Sequence, residues 1–259
     1  MNAIFETHAH YDHKQYNDDR GILLTALPER GVGAVLNVGC SMEASRASVA
    51  LAERYPHVYA TIGVHPHDAK TLTERAMEEL RILAQHEKVV AFGEIGLDFN
   101  RNFSPPDVQR RWFIRQLELA HDCALPVIIH SRDADEEVYN IVESSPHRCG
   151  VIHAFPGDVT LAEQYVSLGF YLGIGGILTY DKTGRLRAVV EAIPLDKLLL
   201  ETDCPYLTPA PHRGKRNESA YLSYVVSTIA TIKGITEESV RTQTWNNACD
   251  LFKIMKMFP

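Results

Sequence analysis

Eight short apolar runs, rich in β-branched residues and fairly evenly spaced, constrain this chain more than any other feature. They lie near Ile4–Thr7, Ala34–Val38, Val58–Ile62, Val89–Phe92, Pro126–Ile129, Val151–Ile152, Phe170–Ile174 and Lys197–Leu200. Several lack polar alternation, as parallel strands covered by helices do. Helical patterns fill most of the gaps: Glu43–Tyr55 behind an N-capping Ser41, Leu72–Gln85, Asp107–Ala124 behind Pro105-Pro106, Asp133–Ser144, Val159–Leu168 and Thr183–Ala192. After the eighth run come a loop rich in proline, glycine and basic residues (Thr208–Arg216) and two more helices, Glu218–Lys233 and Glu237–Lys253. Eight β-α units in 259 residues predict an α/β protein of the (β/α)8 TIM-barrel type, which takes about 250 residues. An open doubly wound sheet is the alternative. No linker or composition shift divides the chain, so residues 1–259 read as a single barrel domain.

Composition excludes several classes. At 45% hydrophobic and 23% charged residues the chain is neither disordered nor fibrous. No apolar run approaches the ~18 residues of a membrane helix, so no membrane partner is expected. Met1–Glu6 shows no secretory signal pattern, and the cytoplasm is the expected location. The net charge of −7 does not suggest a general nucleic-acid coat, although bound cations can reverse the field at one site. Five cysteines with no C-x-x-C pair argue against a disulfide framework or zinc ribbon and for mostly buried thiols. A monomer is favoured.

In such barrels the chemistry lies at the C-terminal ends of the strands. Six of the twelve histidines fall there: His8, His10, His65, His67, His130 and His153. So do Glu94, Asp98 and Asp203. On an extended strand residues i and i+2 point the same way, so His8 and His10 can present two imidazoles to one ion. His130 and His153 end neighbouring strands, and Asp203 follows the strand that closes the barrel beside the first. Six ligand candidates exceed the three or four that one catalytic ion takes. Two divalent cations are therefore expected, bridged by Glu94: one on His8, His10, Glu94 and Asp203, the other on Glu94, His130 and His153. Imidazole with carboxylate suits Zn or Mn, and Mg where oxygens dominate. A water acidified by such a pair would serve hydrolysis, with Asp203 orienting it or taking its proton and Glu94 bridging. Neither a P-loop nor a G-x-G-x-x-G motif is present, so no organic cofactor is expected. The Gly173-Ile174-Gly175-Gly176 run is either tight packing at the barrel end or a place of close approach to substrate. His67 and Asp98 read as loop caps or as partners of the ligands.

The motif set resembles the TatD-type metal-dependent deoxyribonucleases, within the wider amidohydrolase-like barrels. The matching elements are Thr7-His8-Ala9-His10, Gly63-Val64-His65-Pro66, Gly93-Glu94-Ile95-Gly96-Leu97-Asp98, His130-Ser131-Arg132, His153-Ala154-Phe155, Glu201 to Pro209 and His212 to Asn217, with Asn247 in a closing helix. The resemblance implies the same ligand set, two divalent metals and hydrolysis of DNA phosphodiesters, often from the 3′ end. It puts substrate-side roles on His65, Arg132, Tyr206 and Arg213. The chain departs from the family pattern at Glu6, where Asp is usual, and at Ser219, where Pro is usual. Glu94 stands where related amidohydrolases carry a carboxylated lysine, which favours the nuclease branch. His212, Arg213, Lys215 and Arg216 form a basic loop beside the site that can hold phosphates, with Arg132 adding a fork. Lys215 and Arg216 fit a solvated loop equally well. Tyr206 either stacks on a base or packs on the barrel rim.

The resulting expectation is a two-metal phosphodiesterase of the 3′–5′ exonuclease kind acting on single-stranded DNA ends. An ester or amide hydrolase on the same metals, such as an aminoacyl-tRNA deacylase or a lactonase, is the alternative. A non-enzymatic scaffold is disfavoured by the complete ligand set.

Overall fold

The computed structural model describes residues 3–254. Eight parallel strands, hydrogen-bonded in chain order, form the sheet: β1 Ile4–Ala9, β2 Val32–Asn37, β3 Val58–Ile62, β4 Val89–Asp98, β5 Val127–Arg132, β6 Gly150–Ile152, β7 Tyr171–Ile174 and β8 Leu198–Leu200. Around them run α1 Arg20–Ala26, α2 Met42–Arg54, α3 Glu74–Leu83, α4 Pro106–Asp122, α5 Asp135–Ser144, α6 Val159–Ser167, α7 Arg185–Ala192, α8 Leu222–Lys233 and α9 Glu237–Phe252. This is a nearly closed (β/α)8 barrel and not the open sheet. Among the described residues no helix is long and apolar enough to cross a membrane.

The eighth strand meets the first without a regular ladder. One parallel bridge, Ala9 to Cys204, spans the gap. His10 N–H donates to Cys204 O (2.9 Å), Asp203 N–H to His8 O (2.9 Å) and Thr7 Oγ1 to Leu200 O (2.9 Å). Glu6, fully buried, completes the seam. Its Oε1 accepts from the N–H groups of His8 (3.1 Å) and Thr202 (2.9 Å), and its Oε2 from Thr202 Oγ1 (2.6 Å). Below the seam α9 packs on β1 through Phe5, Trp245 and Phe252, with ring centroids 5.5 and 6.2 Å apart. Asn247 Nδ2 donates to Leu195 O (2.9 Å) and Leu198 O (2.8 Å), tying α9 to β8.

The cap expected from sequence forms: Ser41 accepts from Ala44 N–H (3.1 Å); Thr73 caps α3 in the same way, accepting from Ala76 N–H (3.2 Å). Three expectations need correction. The gap after β1 carries α1, a seven-residue helix with Gly21 inside it and one buried residue, Leu24, too little to leave a 3.6-residue apolar pattern. β4 runs on to Asp98, six residues past its expected end, and is buried throughout. Of the cysteines, Cys204 and Cys249 are buried, Cys40 and Cys123 half-buried, and Cys149 exposed.

The strand extension positions the chemistry. Phe92 pairs with Val127 and Ile95 with Ile129, three steps against two, so a β-bulge lies at Gly93-Glu94. In β1, Glu6 pairs with Val35 and Ala9 with Asn37, so a second bulge lies at Thr7-His8. A bulge re-aims a side chain that strict alternation would point elsewhere.

Candidate metal centre

The carboxylate of Glu94 sits among imidazoles at the top of the barrel. Its Oε2 lies 3.5 Å from His8 Nε2 and 3.9 Å from His10 Nε2. Its Oε1 lies 2.7 Å from His130 Nδ1, 3.8 Å from His65 Nε2 and 3.9 Å from His153 Nε2. Asp203 Oδ1 lies 3.4 Å from His10 Nε2 and 3.8 Å from both His8 Nε2 and His153 Nε2. These groups come together from β1, β4 and β5 and from the ends of β3, β6 and β8, with the two bulges and the seam aiming them. All six expected ligand candidates thus converge on one site.

The chemistry of the donors fits divalent cations. His8 and His10 turn their Nε2 atoms toward each other at 3.2 Å. His10 Nδ1 lies 3.1 Å from the carbonyl oxygen of Val38; donating there leaves Nε2 as the nitrogen that can bind a cation once its proton is released. In His8, stacked on His153 with centroids 3.5 Å apart, Nδ1 is buried and without a partner. Buried imidazole and carboxylate atoms in this number are costly unless paired or metal-bound. His8–His10–Glu94 and His65–Glu94–His130 each bring three ligand atoms within metal-binding reach of one another.

Electrostatics follow from the crowding. Burial alone would raise the Glu94 carboxyl, but His65, His153 and His130 hold it well below the ordinary range. Asp203 is likewise held low, burial being outweighed by His10, His153 and His8. Burial lowers His10, yet Asp203 and Glu94 bring it up to about 9. Burial also lowers His153, but Glu201 and Glu94 raise it to about 10. His65 falls to about 3, chiefly through burial, and is neutral at physiological pH. Its Nδ1 accepts from His67 N–H (3.1 Å), so its proton sits on Nε2, facing Glu94.

Around these groups lies a supporting layer. Asp98 Oδ2 is 3.2 Å from His130 Nε2 and 2.9 Å from His67 Nε2, so one carboxylate orients two imidazoles. Sequence pattern alone does not single out Glu201, although it lies two residues before Asp203 on the same strand end. Its Oε1 is 3.1 Å from His153 Nδ1, an ion-pair distance with poor hydrogen-bond angles, and accepts from Ala154 N–H (2.5 Å). The glycine run after β7 serves this residue: a Cβ on Gly173 would collide with the Glu201 carboxylate, and one on Gly175 would press on the Glu201 carbonyl. Tight packing is thus its role. Gly96 is equally constrained, with φ of 147° and no room for a Cβ against the His130 carbonyl.

The centre opens into a cleft of about 590 Å³. His65, Arg132 and Tyr206 line it, as expected of substrate-side residues, but His65 stands deep beside Glu94 instead of at the rim. Arg213 does not line it. Its guanidinium lies 4.2 Å from the centroid of Tyr180. The basic loop is also committed elsewhere: Arg216 pairs with Asp19 (2.8 and 2.5 Å), and His212 stacks on Tyr221 with centroids 4.2 Å apart. Sequence reasoning missed Arg101 and Phe103, which line the same cleft from the β4–α4 loop. The two departures have local explanations. Glu6 belongs to the seam, its carboxylate bonded to the His8 and Thr202 amides and the Thr202 hydroxyl. Ser219 gives its N–H to Tyr11 OH (3.0 Å), which a proline could not do, and takes that hydroxyl on its Oγ (2.8 Å).

The comparisons agree with this geometry. The family of TatD-related DNases matches residues 5–253. The metal-dependent hydrolase YabD of Bacillus subtilis is 40% identical over 97% of this chain and 99% of its own length. The 3′-5′ ssDNA/RNA exonuclease TatD of Cronobacter sakazakii is 38% identical over 96% of this chain and 97% of its own length. Among solved structures, YJJV, a TatD homologue from Escherichia coli K12, superposes with a TM-score of 0.91 at 31% identity over 97% of this chain and 98% of that one. The chain therefore belongs to the TatD-related DNase family and is an enzyme of it, a metal-dependent hydrolase.

Proposed function

We propose that this enzyme hydrolyses phosphodiester bonds at the ends of single-stranded nucleic acid, using two divalent cations. The carrying observation is the division of Glu94: Oε2 faces His8 and His10, and Oε1 faces His130, His65 and His153. A carboxylate so divided can bridge two ions ~3.5–4 Å apart. One ion would rest on His8, His10, Glu94 and Asp203, the other on Glu94, His130 and His153. Imidazole and carboxylate donors accept Zn or Mn, and Mg with added waters. Bound there, the cations supply an acidified water and neutralise charge on the phosphoryl oxygens.

The chain's own groups do the rest. Asp203, with its side chain 18% exposed to the cleft, is the acceptor for the proton of the attacking water. Neutral His65 offers its Nε2–H to a phosphoryl oxygen. Arg132 at the mouth presents a planar fork to a neighbouring phosphate. Asp98 and Glu201 hold the rings of His130 and His153 in their working orientations. The relatives named as 3′-5′ ssDNA/RNA exonucleases support digestion from the 3′ end.

The test is metal-reconstituted protein on 3′- and 5′-labelled single-stranded DNA, wild type beside Glu94→Ala, with metal content measured in both. Metal-dependent shortening that Glu94→Ala loses together with its metal is the expected result. Two bound metals with intact oligonucleotides would refute the substrate assignment and move it to an ester or amide.

A further inference from the structure

We propose that Phe103, on the β4–α4 loop, and Tyr206, on the segment after β8, each stack one of the two bases that flank the scissile phosphate. Substrate is then held with neighbouring bases splayed apart. This rests on the phosphodiester hydrolysis proposed above.

Phe103 is 53% exposed in the wall of the metal cleft. A phenyl ring left in water forgoes a burial that is favourable for side chains of its size, and its loop is not loose enough to excuse it. Lys70 Nζ donates to Phe103 O (2.9 Å). Ser104 Oγ accepts from Lys70 N–H (3.0 Å) and donates to His67 O (2.7 Å). Gln109 Nε2 donates to Ser104 O (2.8 Å), and Asp98 Oδ1 accepts from the N–H groups of Asn100 (3.0 Å) and Arg101 (3.1 Å). The backbone is thus held from the short turn Pro66–Thr71 after β3, from β4 and from α4 while the ring is offered to the cleft. The ring meets His67 edge-on, centroids 4.8 Å apart at 69°. Arg101, with its guanidinium 6.0 Å from the ring, adds a cation beside the platform.

Tyr206 is 49% exposed in the same cleft, its ring edge-on to His13 at 5.7 Å. In a ring of eight strands, β4 and β8 are four apart, so the loops that follow them face each other across the mouth. Glu94 belongs to β4, the strand that leads into the Phe103 loop, and Asp203 to the segment after β8 that carries Tyr206. A phosphate seated between these carboxylates sends one nucleoside toward each aromatic wall. Stacked neighbours in a strand lie about 3.4 Å apart and cannot reach opposite walls. Only an unpaired, unstacked step fits, and stacking on a π-face tolerates every base.

The experiment is a cycle between protein and substrate. Cleavage of a dinucleotide is compared with that of two analogues, each carrying an abasic spacer in place of one base. The proteins are wild type, Phe103→Ala, Phe103→Trp and Tyr206→Ala. In wild type each missing base should lower kcat/KM about 5- to 150-fold. In Phe103→Ala the penalty for one of the two bases should vanish, and in Tyr206→Ala the penalty for the other. Phe103→Trp should keep both. Penalties that persist unchanged in Phe103→Ala overturn the platform while leaving the hydrolase reading intact. If wild type cleaves no phosphodiester, the nucleic-acid reading fails instead. The platform is then judged by quenching of a 2-aminopurine oligonucleotide on chelated protein: quenching lost in Phe103→Ala supports it, and quenching unchanged overturns it.

Discussion

Replacing Glu6 by glutamine should stabilise the metal-free barrel at alkaline pH and not at acid pH. Burial raises the Glu6 carboxyl to about 7 from an ordinary 4.5, although Thr202 and the His8 amide favour its charged form. The sign follows from proton counting. Below 4.5 both folded and unfolded chains hold the proton, and Glu6 adds no pH dependence. Between 4.5 and 7 the unfolded chain has released it while the folded chain keeps it, so stability falls as pH rises. Above 7 the loss is complete, about 3 kcal/mol at 1.36 kcal/mol per pH step. Glutamine mimics the neutral acid: its oxygen can accept from His8 and Thr202 N–H, and its amide can donate to Thr202 Oγ1, which also lies 3.4 Å from His8 O. The stability difference between Glu6→Gln and wild type should therefore widen by about 3 kcal/mol from pH 4.5 to pH 8. In melting temperature that is roughly 6–12 °C. Urea and thermal melts of EDTA-treated protein at both pH values measure it. Chelation matters, since cations beside His8 would themselves favour the carboxylate. A difference that stays constant from pH 4.5 to 8 would refute the burial argument.

Other perturbations separate support from chemistry. Glu201→Gln keeps an oxygen for Ala154 N–H but removes the charge beside His153, and should weaken divalent-metal affinity about 10- to 100-fold without loss of fold; isothermal titration with the metal checks this. Gly96→Ala places a Cβ on the His130 carbonyl at a φ of 147° and should cost about 3 kcal/mol or more, read by chemical denaturation. Metal binding at pH 7 should release protons, because His10 and His153 hold theirs to about 9 and 10. Affinity should then climb as pH rises toward those values, and the released protons appear as a buffer-dependent enthalpy. Arg132→Ala should raise KM for oligonucleotides, whereas Arg213→Ala, turned onto Tyr180, should leave KM near wild type.

The barrel and the ligand types were legible because both rest on local pattern. β-Branched runs at even spacing announce parallel strands, and histidines at their ends announce a centre. What escaped has physical reasons. α1 buries one residue and leaves no periodicity. Arg213 and Arg216 are basic residues in the right loop, but Tyr180 and Asp19 claim them, and such partners are remote in sequence. Glu201 was legible in principle, since a strand carries residues i and i+2 on one face, but its partner His153 comes from β6. Phe103 carries no motif signal at all; only its exposure in a braced loop marks it.

The ligands stand where the barrel departs from regularity. Bulges fall at Thr7-His8 and Gly93-Glu94, and Asp203 holds a φ of 57°. Beside His153, Ala154 holds a φ of 43°. A residue outside glycine adopts that region only where surrounding structure compels it, at a cost of order 1–3 kcal/mol. Here the compulsion can be named. Asp203 N–H is bonded to His8 O across the seam, and Ala154 N–H to the Glu201 carboxylate. The contacts that close the barrel are therefore the ones that aim the ligands. A lesion at the seam, at Thr7 or Thr202, should lower metal affinity and stability together, whereas one at the outer helices should lower stability alone.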